Sequence, residues 1–324
     1  MPAKVVKMYG DLIIFSGTAN RPLAEATAKR VGIPLGGADV QQFANSNTFV
    51  RLHQSVRAKD VFLIQPTSAP VNDNLMELLI FIDTLKRDSA GRITVVTPFY
   101  GYGRTDKKDQ PRVPITARLV ADLIETAGAD RIVTLDLHAK QIQGFFSIAI
   151  DELPALGLFT DRFRAHPIPN AVVVAPDIGS LRRARNFAER LDVPLAVVEK
   201  RRSLDGARTE MFNLIGDVDG HNVIIVDDEI DTAGTLVRAA NFVREQGALD
   251  VVACATHAVL SEPAAARIRE SALGEVVVTD TVAISAEKRV RSGNKISILP
   301  IAPLLADVIC RIHEGRSVGE LFDE

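Results

Sequence analysis

Residues 222–235 (Asn-Val-Ile-Ile-Val-Asp-Asp-Glu-Ile-Asp-Thr-Ala-Gly-Thr) constrain the fold of this chain more than any other stretch. Val223 to Val226 form a short β-branched run without a polar residue, as expected of a central strand in a parallel sheet. Asp227 and Asp228 are placed where that strand is expected to end. Asp231, Thr232, Ala233, Gly234 and Thr235 follow, and a helix is predicted from Thr232 to Gln246. A helix N-terminus offers unpaired N–H groups and partial positive charge, so small residues there admit a phosphate. Two adjacent carboxylates repel that phosphate but suit sugar hydroxyls or a magnesium ion. A phosphate seat beside a diol or metal seat has the shape of ribose 5-phosphate. A helix cap followed by a turn is the plainer alternative.

The same strand–loop–helix grammar repeats along the chain. Strands are predicted at Leu12–Phe15, Val61–Gln65, Ile93–Val96, Ile132–Leu135, Ala171–Val174, Leu195–Val198 and Val251–Thr256. Helices are predicted at Pro22–Val31, Asn72–Arg87, Ile115–Thr126 and Leu181–Leu191. Such alternation means an α/β fold of parallel sheets flanked by helices. The 72–87 helix is apolar nearly all round and is expected to be buried on most sides. Ile115, Leu119, Leu123 and Ala127 are taken as the core stripe of the next helix. At 324 residues the chain exceeds one typical core, so two domains are expected. The boundary is placed in the proline-bearing, loop-rich stretch 154–169. The likeness of 131–136 to 222–227 hints at duplication.

A net charge of −3 argues against a nucleic-acid or anionic-membrane partner. Cys254 and Cys310 lie in apolar sequence and read as buried thiols of a reducing compartment. With neither a signal peptide nor a membrane span in view, a cytoplasmic setting is expected.

Four more segments carry chemistry, each after a predicted strand, where open α/β sheets bind ligands. His138, in Thr134-Leu-Asp-Leu-His138, would ligate a metal, touch a nucleotide phosphate, or be structural. Asp177, in Ala175-Pro-Asp-Ile-Gly179, would hold sugar or magnesium, or cap a helix. The loop Tyr100–Arg112 carries Arg104, Lys107, Lys108 and Arg112, which would clamp a polyphosphate or be solvated. Lys200 and Arg202 follow a strand at the mouth of a loop, 203–209, that reads as mobile. They would reach a transferring phosphoryl group when the loop closes.

Together these segments resemble the ribose-phosphate pyrophosphokinases, also called phosphoribosyl pyrophosphate synthetases. The likeness covers nearly the whole chain. It includes Asn72–Glu77, Arg112–Thr116, the long string Asp136–Phe146, Lys200–Arg202, Asn213–Val218, Asp227–Thr235, Ala302–Asp307 and Arg311–Gly315. The resemblance implies two similar phosphoribosyltransferase-type domains: 1–153, to which a last helix within 304–324 returns, and 154–303. It implies attack of the anomeric hydroxyl of ribose 5-phosphate on the β-phosphorus of magnesium ATP. By position, Asp227 and Asp228 would hold ribose hydroxyls and a magnesium, and Asp231–Thr235 the 5-phosphate. His138 and Asp177 would hold the magnesium on ATP, and Lys200 and Arg202 the charge moving toward AMP. Phe43, Asn45, Asn47, Arg104 and Thr105 would contact the nucleotide. A homo-oligomer, a hexamer by the same resemblance, is implied. The rivals are a phosphoribosyltransferase that consumes phosphoribosyl pyrophosphate and a non-catalytic subunit that regulates a true synthetase.

The chain departs from the family pattern at several positions. Ser46 and Asn47 stand where Gly and Glu are usual, Thr105 where glutamine is common, and Ser180 where a glycine follows. Glu229 replaces an apolar residue, the 203–209 loop lacks its usual asparagine, and Leu299-Pro-Ile301 replaces Leu-Ser-Val.

Overall fold

A computed structural model describes residues 9–202 and 210–321, with backbone alone at 200–202 and 210–212. The chain divides into two compact units. The first runs to Pro154 and takes back Thr281–Ala283 and the chain from Pro300 onward. Its elements are β1 (Leu12–Ser16), α1 (Arg21–Val31), β2 (Ala38–Gln42), β3 (Thr48–Leu52), β4 (Asp60–Ile64), α2 (Val71–Arg87), β5 (Arg92–Val96), α3 (Thr116–Ala127), β6 (Arg131–Leu135) and β7 (Ala149–Leu153). The sheet order is β1-β4-β5-β6-β7, all parallel, with β2–β3 a separate antiparallel hairpin.

The second unit holds α4 (Leu156–Ala165), β8 (Ala171–Ala175), α5 (Leu181–Leu191), β9 (Leu195–Arg202), β10 (Glu210–Ile215), β11 (Asn222–Ile230), α6 (Gly234–Glu245), β12 (Val251–Ala258), α7 (Ala264–Glu270), β13 (Leu273–Thr279), α8 (Ala286–Arg291) and β14 (Ile296–Leu299). Its order is β10-β9-β8-β11-β12-β13-β14, with only the edge strand β10 antiparallel. The closing helix α9 (Ala302–Glu314) belongs to the first unit.

The five strands β8-β11-β12-β13-β14 match β1-β4-β5-β6-β7 one for one. Beyond β1 the place of β9 is marked by a parallel bridge between Ile14 and Leu35. The counterpart of β11 is therefore β4. The likeness between 131–136 and 222–227 pairs the wrong strands, since β6 answers to β13. Buried β-branched strands resemble one another whatever their place.

Each core follows from strands buried on both faces. Val61 to Ile64 and Val172 to Ala175 are closed off entirely. Helix α2 is buried through Leu78, Phe81, Ile82 and Leu85, with Leu75, Leu79 and Ile80 partly buried against the same core, while Met76 stays 54% exposed. In α3 the core face is Ala117, Val120, Ala121 and Ile124. Leu119 and Leu123 point outward, so the stripe expected from sequence is the opposite one. Two 3.6-residue stripes coexist there, and the one richer in small residues packs against the unit. Helix α4 occupies part of the stretch expected to be loop.

Asp60 opens β4 fully buried. It accepts from Arg92 Nε at 2.8 Å, from Arg92 Nη2 at 2.6 Å and from His313 Nδ1 at 2.7 Å. Arg92 also donates to the Ile312 carbonyl at 3.1 Å. This buried, fully bonded pair clamps the end of α9 to the first sheet.

Candidate active site

The β11–α6 junction is where sequence and structure differ most usefully. β11 does not stop at Val226. It runs to Ile230, with Asp227 in register with Ala255, Glu229 with His257 and Ile230 with Ala258. The carboxylates are thus held on a paired strand rather than on a free turn. Helix α6 starts at Gly234, two residues later than the sequence suggests, because Ala233 adopts a left-handed φ of 58°. Ala233 has no side chain able to cap, and the first helical bond is Val237 N to Ala233 O at 3.0 Å. The N-cap residue therefore gives the first-turn amides no side-chain cap, which suits a helix start that receives an anion.

Two arginines flank this seat. Arg267 Nη1 donates to the Thr232 carbonyl at 2.9 Å. A Cβ added at Gly234 would lie 3.4 Å from Arg267 Nη1 and 3.7 Å from Arg238 Nη1. Sequence reading missed both. Arg238 lies four residues beyond Gly234, one turn along α6, and could have been found from that spacing. Arg267, from α7, left no local signal.

On the strand side, Asp227 is half-buried and its carboxyl is pushed up to about 8. Burial is the main cause, followed by the charge of Asp228, the hydrogen bond to it, and the charge of Asp177. Ser180 Oγ lies 3.0 Å from Asp227 Oδ1 and 3.2 Å from Asp177 Oδ1, and the Ser180 amide donates to Asp177 Oδ1 at 3.0 Å. Asp177 thus stabilises the turn before α5, whose N-cap residue is Ser180 rather than Asp177, and its charge also reaches Asp227. One hydroxyl hydrogen cannot serve two carboxylates at once. Asp227 Oδ1 also accepts from the Asp228 amide at 2.9 Å, and Asp177, Asp227 and Asp228 gather hard oxygen donors of the kind that suit magnesium. Sequence reading noted Ser180 only as a departure; its link to both carboxylates is visible only in the structure.

Lys200 and Arg202 lie on β9, whose backbone runs antiparallel to β10 with Lys200 opposite Phe212 and Arg202 opposite Glu210. The strand continues four residues past Val198, its expected end. Their side chains, and the 203–209 loop expected to be mobile, lie outside the described residues.

In the first unit, the loops after β5 and β6 come together. Gly103 lies against His138, whose Cβ would be 3.7 Å from a Cβ at that glycine. Asp106 accepts from Gln141 Nε2. Gly101 fits only as glycine, since a Cβ there would sit 2.5 Å from the Thr67 carbonyl oxygen. Thr105 turns back onto the Tyr102 carbonyl through its amide at 2.9 Å. Arg104 and His138 are thereby exposed on neighbouring loops. Phe43, Asn45 and Asn47 sit on the turn of the β2–β3 hairpin, which sequence reading did not find; its apolar face is only Ala38, Val40, Val50 and Leu52, split between two short strands. Phe43 is 49% exposed and stacks at 5.7 Å on Phe49. Its amide donates to the Asn47 carbonyl at 2.8 Å, and Asn45 Oδ1 accepts from the Asn47 amide at 3.2 Å. Ser46 takes a φ of 66°, the region its usual glycine would favour.

Cys254 is buried and Cys310 half-buried, and burial pushes both thiols up. Among the described residues no helix is long and apolar enough to cross a membrane.

A parallel sheet whose central strand carries paired aspartates into an uncapped helix N-terminus defines a protein of the phosphoribosyltransferase-type fold. A model of the N-terminal domain of ribose phosphate pyrophosphokinase matches residues 12–128, and one of a phosphoribosyl synthetase-associated domain matches 206–323. A ribose-phosphate pyrophosphokinase of Caldanaerobacter subterraneus is 51% identical over 98% of this chain and 100% of that protein. One from Clostridium tetani is 49% identical over 97% and 98%. The crystal structure of a phosphoribosylpyrophosphate synthetase from Mycobacterium smegmatis superimposes with a TM-score of 0.89 at 46% identity, over 94% of this chain and all of that one. The chain belongs to the ribose-phosphate pyrophosphokinase family.

Proposed function

We propose that the chain transfers the pyrophosphoryl group of magnesium ATP to the anomeric hydroxyl of ribose 5-phosphate, giving phosphoribosyl pyrophosphate and AMP. The observation that carries this reading is the β11–α6 junction, an uncapped helix N-terminus flanked by Arg238 and Arg267 and preceded by Asp227 and Asp228. The 5-phosphate would take the Asp231–Thr235 amides, and the ribose hydroxyls would donate to Asp227 and Asp228. Holding the sugar at both ends fixes the anomeric hydroxyl, and phosphoryl transfer depends mostly on such positioning and on charge.

On the family resemblance His138 in the first unit and Asp177 in the second are each proposed to bind magnesium, and Asp227 and Asp228 to offer oxygens on the sugar side. The ion would neutralise polyphosphate charge. Lys200 and Arg202 would stabilise negative charge on the departing AMP. Phe43 offers a ring face for the base, and Arg104 a cation for the phosphates. Asn47, presenting an amide where the family usually has a carboxylate, both donates and accepts, and so would relax the preference for adenine over guanine. A homo-oligomer is proposed on the family resemblance, and the outward Leu119, Leu123 and Met76 support it as apolar surface on the first unit.

The test is AMP release from ATP and magnesium with and without ribose 5-phosphate. Release only with the sugar phosphate is expected. Pyrophosphate release from phosphoribosyl pyrophosphate and a base would mark a phosphoribosyltransferase. Ribose 5-phosphate binding without AMP would mark a non-catalytic subunit.

A further inference from the structure

Glu152 lies outside every motif described above, yet it holds one of them in shape. It sits on β7 beside Thr134 of β6, with its side chain 1% exposed. Oε1 accepts from the Leu137 amide at 2.8 Å and lies 3.1 Å from Lys140 Nζ. Oε2 accepts from Gln143 Nε2. One buried carboxylate thus gathers a backbone amide and two side chains from seven consecutive residues, all in the loop that carries His138.

The loop needs such a centre. It leaves β6 through Asp136, whose φ is 35°, and contains the short 3-10 turn Lys140–Phe145. Leu137 and Ile142 anchor it from below as buried apolar groups. The Leu137 amide belongs to the Asp136–Leu137 peptide, one peptide ahead of the one that joins His138, so its bond to Glu152 constrains the backbone from which the imidazole starts. Burial pushes the Glu152 carboxyl up, and the Lys140 cation pulls it back. A buried carboxylate is tolerated when opposite charge and hydrogen bonds surround it, and Lys140, Gln143 and the Leu137 amide supply both.

We propose that Glu152, with Lys140 as its counter-charge, is the positioning residue for His138, holding the imidazole ready for magnesium ATP. The proposal rests on the reading of His138 given above. A fixed outer partner is worth about ten- to a hundredfold in affinity or activity when it orients a ligating group.

The experiment uses the full chain with Glu152→Ala, Glu152→Gln, His138→Ala and the His138→Ala/Glu152→Ala pair. The readouts are far-ultraviolet circular dichroism, thermal melting, and separate KM values for magnesium ATP and ribose 5-phosphate. Glu152→Ala should raise the KM for magnesium ATP about tenfold and leave that for ribose 5-phosphate unchanged. Glu152→Gln should recover part of the loss, because its amide oxygen still accepts from Leu137. On the His138→Ala background, Glu152→Ala should add nothing. A Glu152→Ala enzyme that melts earlier but keeps both KM values overturns the positioning role alone. An equal further loss in the double variant shows that Glu152 does not act through His138, and also overturns it. His138→Ala with normal magnesium ATP kinetics overturns the reading of His138 and the proposal with it.

Discussion

The loops after β4 and β11 occupy the same place in two sheets of the same order, and they solve opposite problems. After β4, Gln65 Oε1 accepts from the Ala19 amide at 3.1 Å, and its Nε2 donates to Glu77 at 2.9 Å. Glu77 also accepts from the Thr18 amide at 2.7 Å and the Thr18 hydroxyl at 2.6 Å. Both side chains are buried, and their polar groups are answered from within the protein. After β11, the residue in the Gln65 place is Asp227, beside Asp228 and Asp177, with one shared serine hydroxyl between two of the three. The first loop is finished as scaffold. The second gathers three carboxyl groups beside a helix start whose N-cap residue makes no side-chain cap bond. At one topological position the first unit buries an internally bonded amide and the second a carboxyl raised by burial and by its neighbours, a perturbation of the kind that marks candidate functional sites.

The largest expected effect that sharpens this contrast is on activity. Asp228→Ala should abolish AMP formation while circular dichroism and melting show an intact fold. An unfolded variant would make the carboxylate structural. Next in size, Glu77→Ala should cost about 2 kcal/mol, since it leaves the buried Gln65 amide, and the exposed Thr18 beside it, without their shared acceptor. Denaturant unfolding would measure it, and ribose 5-phosphate binding by the folded fraction should be unchanged. A neutral Glu77→Ala would erase the difference between the loops.

The third effect depends on pH. Asp227 rises from 3.8 to about 8 on folding. Between those values the folded chain keeps a proton that the unfolded chain has lost. The stability contributed by this group is therefore full below 3.8 and is lost as pH rises through about 8. Asp227→Asn should flatten that loss and raise stability at pH 8 by about 1 kcal/mol or more, with activity gone. Melting curves from pH 4 to 9 check it, and parallel wild-type and variant profiles would contradict it. The smallest effect is at Ser46, whose φ of 66° suits glycine. Ser46→Gly should stabilise by roughly 1 kcal/mol, read as a higher melting temperature with little kinetic change.

The architecture was legible where periodicity and composition agree. Helix α5 lies where its sequence placed it, and the Asn20 side chain accepts from the Leu23 amide to start α1. The strand-to-helix order across 223–245 was legible because a β-branched run, short polar residues and an amphipathic stretch follow one another there. What was not legible depends on distant partners. Charged Asp227 to Glu229 read as the end of a strand, but pairing with β12 carries that strand on. In α3, Ala117 and Ala121 look weaker than Leu119 and Leu123, yet they make the close contact. The β2–β3 hairpin lacks an apolar face strong enough to declare itself. Arg267 and Glu152 act on loops from other elements, 33 and 14 residues away from Gly234 and His138, a separation that local reading does not span.

The most direct test of the contrast is the stoichiometry of ribose 5-phosphate binding, measured by isothermal titration calorimetry on the wild-type chain and on Gly234→Asp. That substitution sets a carboxylate in the proposed phosphate seat. One equivalent per chain, lost in Gly234→Asp, is the predicted result. Two equivalents, or undiminished binding in the variant, would show that the β11 loop is not the one left open for the ligand.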